Sequence, residues 1–225
     1  MTLIDPLAEP APVKPRMRGW LHLWSFVVAV AAGIVLVSLA GSTVSAQAAV
    51  AVAVYSLTVC GVFGVSALYH RRTWVSPRSR GVMKRLDHAM IFVFIAGTYT
   101  PFAVLAMPEA TGTLVLWIVW LGALGGVVLK VAWPHAPRWV GVPFYLALGW
   151  VAVFVIPDLL HHGGVAALVL LLVGGAFYSL GAGFYALRRP IGWPRTFGYH
   201  EFFHAATVVA AACHHVAIWL ILYSG

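Results

Sequence analysis

Seven stretches of this 225-residue chain are apolar over lengths that reach across a bilayer, whose hydrocarbon core is about 30 Å thick. They run Trp20–Ala40, Ala48–His70, Leu86–Ala106, Thr113–Ala132, Trp139–Pro157, Val165–Leu187 and Phe202–Tyr223, joined by short connections. A backbone in hydrocarbon has no water to pair with. Each crossing segment must therefore satisfy its own amides, which selects helices. The strands of a membrane barrel would alternate apolar and polar residues over about ten positions, and the sequence shows no such alternation. Composition agrees: 62% of residues are hydrophobic and 9% charged, whereas a soluble domain carries roughly 25% charged residues. The expected fold is all-α, a polytopic seven-transmembrane helix bundle over residues 19–225 with no second domain and no internal repeat. Residues 1–18 are Pro-rich and polar, without an apolar region and cleavage site. They read as a flexible cytoplasmic tail and not as a signal peptide.

The formal charge of +8 would suggest nucleic acid in a soluble protein. In a membrane protein, Lys and Arg mark the cytoplasmic loops, and no nucleic-acid partner is expected. Lys14, Arg16 and Arg18 precede the first span. Arg71, Arg72, Arg78, Arg80, Lys84 and Arg85 follow the second, Lys130 and Arg138 flank the fourth connection, and Arg188, Arg189 and Arg195 follow the sixth. These are all 14 basic residues of the chain, and every one falls on the same side of the seven-span path. The N-terminus is therefore expected in the cytoplasm and the C-terminus outside.

Two cysteines, Cys60 and Cys213, lie in apolar runs and exclude a disulfide framework or a cysteine-rich zinc site. The ten histidines are more informative. The seven-span path brings the end of span two (Ser66 to His70), the start of span three (Asp87, His88) and the start of span seven (His200 to His204) to one boundary. Residues four apart share a helix face, so His200 and His204 project together, a spacing suited to one metal ion. His70, at the same depth, makes a third imidazole. Three His ligands with an open fourth position describe a catalytic zinc site more than a structural one. Asp87 is at the level to orient a water there or take its proton, and Ser66 lies one turn deeper than His70. Each has a plainer reading: helix capping or headgroup contact for His70, a favourable dipole position for Asp87, and a bond within its own helix for Ser66. A carboxylate and three histidines together at a membrane edge are costly and point to a site.

The remaining histidines divide otherwise. His214 and His215 lie about 15 Å deeper than His204 along the helix, too far to share its metal, and read as structural. His161 and His162 fall in an outside loop beside Asp158. His88 and Glu201 are turned away from the metal-facing positions, Glu201 reads as an interfacial carboxylate, and His22 and His135 read as interface residues.

Three separated elements resemble the hemolysin III group of the progestin and adipoQ receptor family, which includes the adiponectin receptors. They are Ser66-x-x-x-His70, Leu86-Asp87-His88 with the following Ala96-Gly-Thr-Tyr-Thr-Pro101, and His200-Glu-Phe-Phe-His204 followed by His214. The resemblance runs from about Trp20 to the C-terminus and extends to alkaline ceramidases. It implies a seven-helix bundle with zinc near the cytoplasmic side, held by His70, His200 and His204. It also implies Asp87 on the water bound to zinc, Ser66 lining the site, and hydrolysis of lipid amides such as ceramide. Bacterial hemolysin III members are linked instead to haemolysis or to membrane-fluidity homeostasis. The long N-terminal extension of the animal receptors is absent from the sequence.

The expectation is thus a multi-pass cell-membrane protein that binds zinc and hydrolyses a ceramide-like or other fatty-acyl lipid amide. Its acyl chain would lie in an apolar cavity opening to membrane lipids. The competing readings are a non-catalytic sensor or homeostasis protein with a structural zinc, a b-type haem protein, and a pore-former, for which no charged channel lining is visible. A retinal protein would need a lysine in the last span, and none follows Lys130.

Overall fold

The structure is a computed structural model that describes residues 14–189, 192–193 and 195–224. It is helical throughout, apart from one isolated bridge between Trp193 and Phe197. In chain order the helices are α1 (Trp20–Thr43), α2 (Ala46–Arg71), α3 (Pro77–Leu105), α4 (Glu109–Ala132), α5 (Arg138–Gly149), α6 (Ile156–Leu187) and α7 (Tyr199–Leu222), with a 3-10 segment, Trp150–Val155, between α5 and α6. Among the described residues, six stretches are long and apolar enough to cross a membrane: α1, α2, α3, α4, the continuous run Arg138–Leu187, and α7. Large apolar side chains such as Trp24, Ile34, Leu57, Leu121 and Phe154 are more than half exposed around the outside, while Leu36, Val52, Tyr55, Phe92 and Ile218 fill the centre. An outer surface this apolar needs lipid, not water, as its solvent.

The run Arg138–Leu187 departs from the expected pair of helices parted by a loop. It stays helical through Pro157 and His161, and Gly164 is the residue inside α6 that leaves helical geometry (φ 77°, ψ 170°). The guanidinium of Arg138 donates to the Tyr185 carbonyl at 3.0 Å, and Trp150 Nε1 donates to Ser179 Oγ at 2.9 Å. The two halves of the run therefore lie side by side, folded back at a glycine whose positive φ a side chain would resist. The 3-10 segment has a partner of its own. Tyr99 on α3 donates its hydroxyl to the Gly149 carbonyl at 2.6 Å and accepts the Ala152 amide at 2.7 Å. Backbone groups released by the change of helix type are thus paired away from lipid.

α3 begins nine residues earlier than the apolar stretch that announced it. Pro77 opens it, as proline suits a first helical position, so Arg78, Arg80, Lys84 and Arg85 ride on its first turns instead of in a loop. Neighbouring helices pack closely where small residues permit. A Cβ on Gly97 would strike the Thr58 side chain of α2, and one on Gly126 the Phe92 ring of α3. Cys60 and Cys213 are free thiols.

The bundle has one basic end. Arg71, at the end of α2, stacks over the Trp20 ring at the start of α1, 3.8 Å from its centroid. The amides of Arg16 and Met17 donate to the carbonyls of Arg195 and Thr196 at 3.0 and 3.2 Å. The last residues of the expected tail are thereby tied to the segment before α7; residues 1–13 lie outside the described residues. Lys14 shares this end, and partial burial, followed by the charges of Arg71, Arg18 and Arg80, holds its amine below the usual lysine range. At the opposite end, Thr43 Oγ1 and Tyr223 Oη meet at 2.9 Å.

Candidate metal centre

The three histidines expected to act together do converge. His70 comes from the last turn of α2, and His200 and His204 from the first turns of α7. One ring nitrogen from each lies within 4.8 Å of the other two, and Nε2 of His70 and Nε2 of His200 are 3.1 Å apart. His70 and His204 are buried. Nitrogens on one tetrahedral zinc, each about 2.0–2.1 Å from the ion, stand about 3.3 Å from one another. The observed separations bracket that value, so the donor set fits a divalent ion that favours imidazole. Asp87, expected beside them, has Oδ2 3.7 Å from His70 Nε2 with 14% of its side chain exposed. Ser66 is buried on α2 beside that carboxylate. All five residues expected from the sequence therefore share one locus.

Two residues that hold the centre were read differently in the sequence. Glu201 is not an interfacial carboxylate: it is 1% exposed. Its Oε2 accepts the Gly198 amide at 2.8 Å, and Oε1 takes the Nε–H of Arg18. The first interaction caps α7 and the second clamps it to the segment before α1, so the two histidine-bearing turns are fixed from both sides. Nor does His22 of α1 lie at the interface. It is 3% exposed, and its ring stacks on His204 with centroids 3.8 Å apart and planes 8° from parallel. Both its nitrogens lack partners among the described residues. The signal was present, since span one begins at the same boundary as the other histidines. Nothing in the spacing, however, says which face of α1 turns inward. Gly19, just before α1, adopts φ 83°, and a Cβ there would come 2.9 Å from the His70 Cβ. Only a bare backbone can pass this close to His70.

The other histidines are placed apart. His88 bridges the Lys84 carbonyl (2.6 Å) and the Tyr185 hydroxyl (3.3 Å). His215 accepts the Trp219 indole N–H at 3.0 Å and stands 3.5 Å from the Tyr55 hydroxyl. His162 reaches the Asp158 carbonyl at 3.1 Å. A cavity of about 520 Å³ starts at His200, His204 and Asp87 and runs between α3, α5, α6 and α7 to Met107 and Leu159 near the far end. Its walls are mostly apolar, with polar and charged side chains gathered at the head and several polar ones further in, a character common in small-molecule sites.

A sequence profile of the family described as Haemolysin-III related matches residues 11–215. The chain is similar to the Hemolysin-3 homolog of Bacillus subtilis, 28% identical over 85% of this chain and 86% of that protein. It is similar to Hemolysin-3 of Bacillus cereus, 31% identical over 71% and 72%. It is also similar to the Heptahelical transmembrane protein ADIPOR2 of Oryza sativa, 30% identical over 70% of this chain and 76% of that one.

Proposed function

This chain belongs to the haemolysin III family of multi-pass membrane proteins, and we propose that its three-histidine centre makes it a zinc-dependent hydrolase of lipid amides. The observation that carries the reading is the convergence of three imidazoles, with a carboxylate 3.7 Å from one of them, at the head of a long, mostly apolar cavity. His70, His200 and His204 would hold the zinc. When bound, zinc supplies a Lewis acid that polarises a carbonyl and acidifies water to a pKa of about 7. Asp87 takes the proton from the attacking water and returns it to the departing nitrogen. The water oxygen bonds to the amide carbon, the C–N bond breaks, and a fatty acid and an amine leave. Ser66 steadies the Asp87 carboxylate. The apolar wall of the cavity receives the acyl chain, which enters from the surrounding lipid. Hydrogen bonding through Glu201 and stacking by His22 keep the ligand rings in place.

The same reading sets the protein in the membrane with seven crossings, its N-terminus in the cytoplasm and its C-terminus outside. The side-by-side halves of Arg138–Leu187 support the count, as does the heptahelical name of the rice relative. The gathering of basic residues at one end supports the orientation.

The first test is the metal content of detergent-purified protein, by mass spectrometry, beside His200→Ala and His204→Ala. The expected result is about one zinc per chain in the wild type and none in either variant. A zinc-free wild type, prepared without chelators, overturns the proposal. Zinc without release of fatty acid from ceramides or other lipid amides favours a second reading, a structural metal in a non-catalytic homeostasis protein. One observation speaks for it. α2 and α7 are not close-packed neighbours, and they meet chiefly at the histidines and at Tyr55 with His215. An ion there would join two helices that little else joins.

A further inference from the structure

The cavity is not uniformly apolar below the metal centre. Three of its polar side chains are spoken for within their own helices: Thr98 donates to the Phe94 carbonyl, Thr207 to the Phe203 carbonyl and Ser179 to the Gly175 carbonyl. Among the described residues, the cavity-lining side chains left with unpaired buried atoms are His22, Tyr145, Tyr178 and His214. Two of these are neighbours. The rings of Tyr178 on α6 and His214 on α7 stand 5.4 Å apart, edge to face.

Their chemistry is complementary. His214 Nε2 lies 3.2 Å from the Leu171 carbonyl. A carbonyl can only accept, so in the neutral ring Nε2 carries the hydrogen and Nδ1 is a bare acceptor. Nδ1 has no donor, and the Tyr178 hydroxyl has no acceptor. The pair brings one acceptor and one donor to the wall of the same cavity, not bonded to each other. The fold also makes room for the imidazole: a Cβ on Gly174 would lie 2.4 Å from its Cδ2 and 2.5 Å from its Nε2. Buried polar groups left without partners are costly in a membrane interior. A group that both donates and accepts would satisfy this pair, and a hydroxyl does so with a single atom.

We propose that Tyr178 and His214 form a hydroxyl-binding subsite, which selects lipids whose chain carries a hydroxyl part-way along its length. This rests on the reading of the cavity as a lipid site. His214 follows His204 by ten residues on α7, about 15 Å along the axis. A chain with its polar head at the histidine centre therefore presents its middle, not its head, to the subsite. The chain hydroxyl donates to His214 Nδ1 and accepts from the Tyr178 hydroxyl. A plain methylene chain leaves both unpaired.

The test is binding of oleate and ricinoleate to the purified full chain in detergent. The two probes differ by one mid-chain hydroxyl. Ricinoleate is expected to bind about tenfold tighter, the worth of a paired donor and acceptor after the competing loss of water. Tyr178→Phe, which keeps the ring, and His214→Leu are each expected to erase the preference. Equal binding of both probes to the wild type overturns the subsite, whose polar atoms then serve a bound water. A preference that survives in Tyr178→Phe overturns it as well. If neither probe binds, the lipid reading of the cavity falls and this inference falls with it. The comparison is made on metal-loaded and chelator-treated protein. A preference indifferent to metal stands apart from the fate of the zinc proposal.

Discussion

His22 comes from α1, yet its ring lies flat on that of His204. A stacked aromatic ring restrains its neighbour's plane without needing its own nitrogens. His22→Phe is therefore expected to retain the metal. His22→Ala opens space beside His204 and is expected to weaken metal binding about tenfold, within the range seen when groups supporting a ligand are removed. Competition against a chelator measures both; equal affinities for the two variants would refute the stacking role. The convergence of the three histidines was legible in the sequence because two facts sufficed: a four-residue spacing on one helix, and a topology that puts three helix ends at one boundary. The supports were not. Glu201 and Arg18 are 183 residues apart, and no local pattern announces that a charge before the first helix will meet a carboxylate at the start of the last.

At the scale of elements, the junction between α5 and α6 depends on one hydroxyl. Tyr99→Phe leaves the Gly149 carbonyl and the Ala152 amide without the partner that pairs them. The expected loss is about 2–6 kcal/mol of stability, from two orphaned backbone groups at about 1–3 kcal/mol each. Reversible unfolding in mixed detergent would register it, with metal content unchanged because the junction is far from the histidines. A loss below the error of the measurement would mean that water reaches the junction. Apolar length identified nearly every helix, because a bilayer permits little else. It misjudged helix ends, since hydropathy marks where a helix meets lipid and not where its hydrogen bonds begin. α3 starts at Pro77 in a basic stretch for that reason. Pro157 and Gly163-Gly164 looked like a loop, but proline suits the first turn of α6, and the chain reverses on Gly164 alone.

For the whole molecule, the clustering of basic residues makes the orientation testable residue by residue. Ser224 and Arg188 are both exposed, at opposite ends of the bundle. In intact cells, a membrane-impermeant thiol reagent is expected to label Ser224→Cys and to leave Arg188→Cys untouched until the membrane is broken. The reverse pattern would invert the topology and bring the histidine centre to the outer face.

The spacing of the ligands along the chain also bears on biogenesis. His70 and His200 are 130 residues apart, and a ribosome adds about 5–20 residues per second. A nascent chain thus carries α2 for roughly ten seconds before α7 exists. During that interval it owns one imidazole of the three and cannot retain an ion. If the centre holds zinc as proposed, metal capture follows insertion of α7, and a loaded centre would distinguish a chain that has inserted through α7 from one that has stalled short of it.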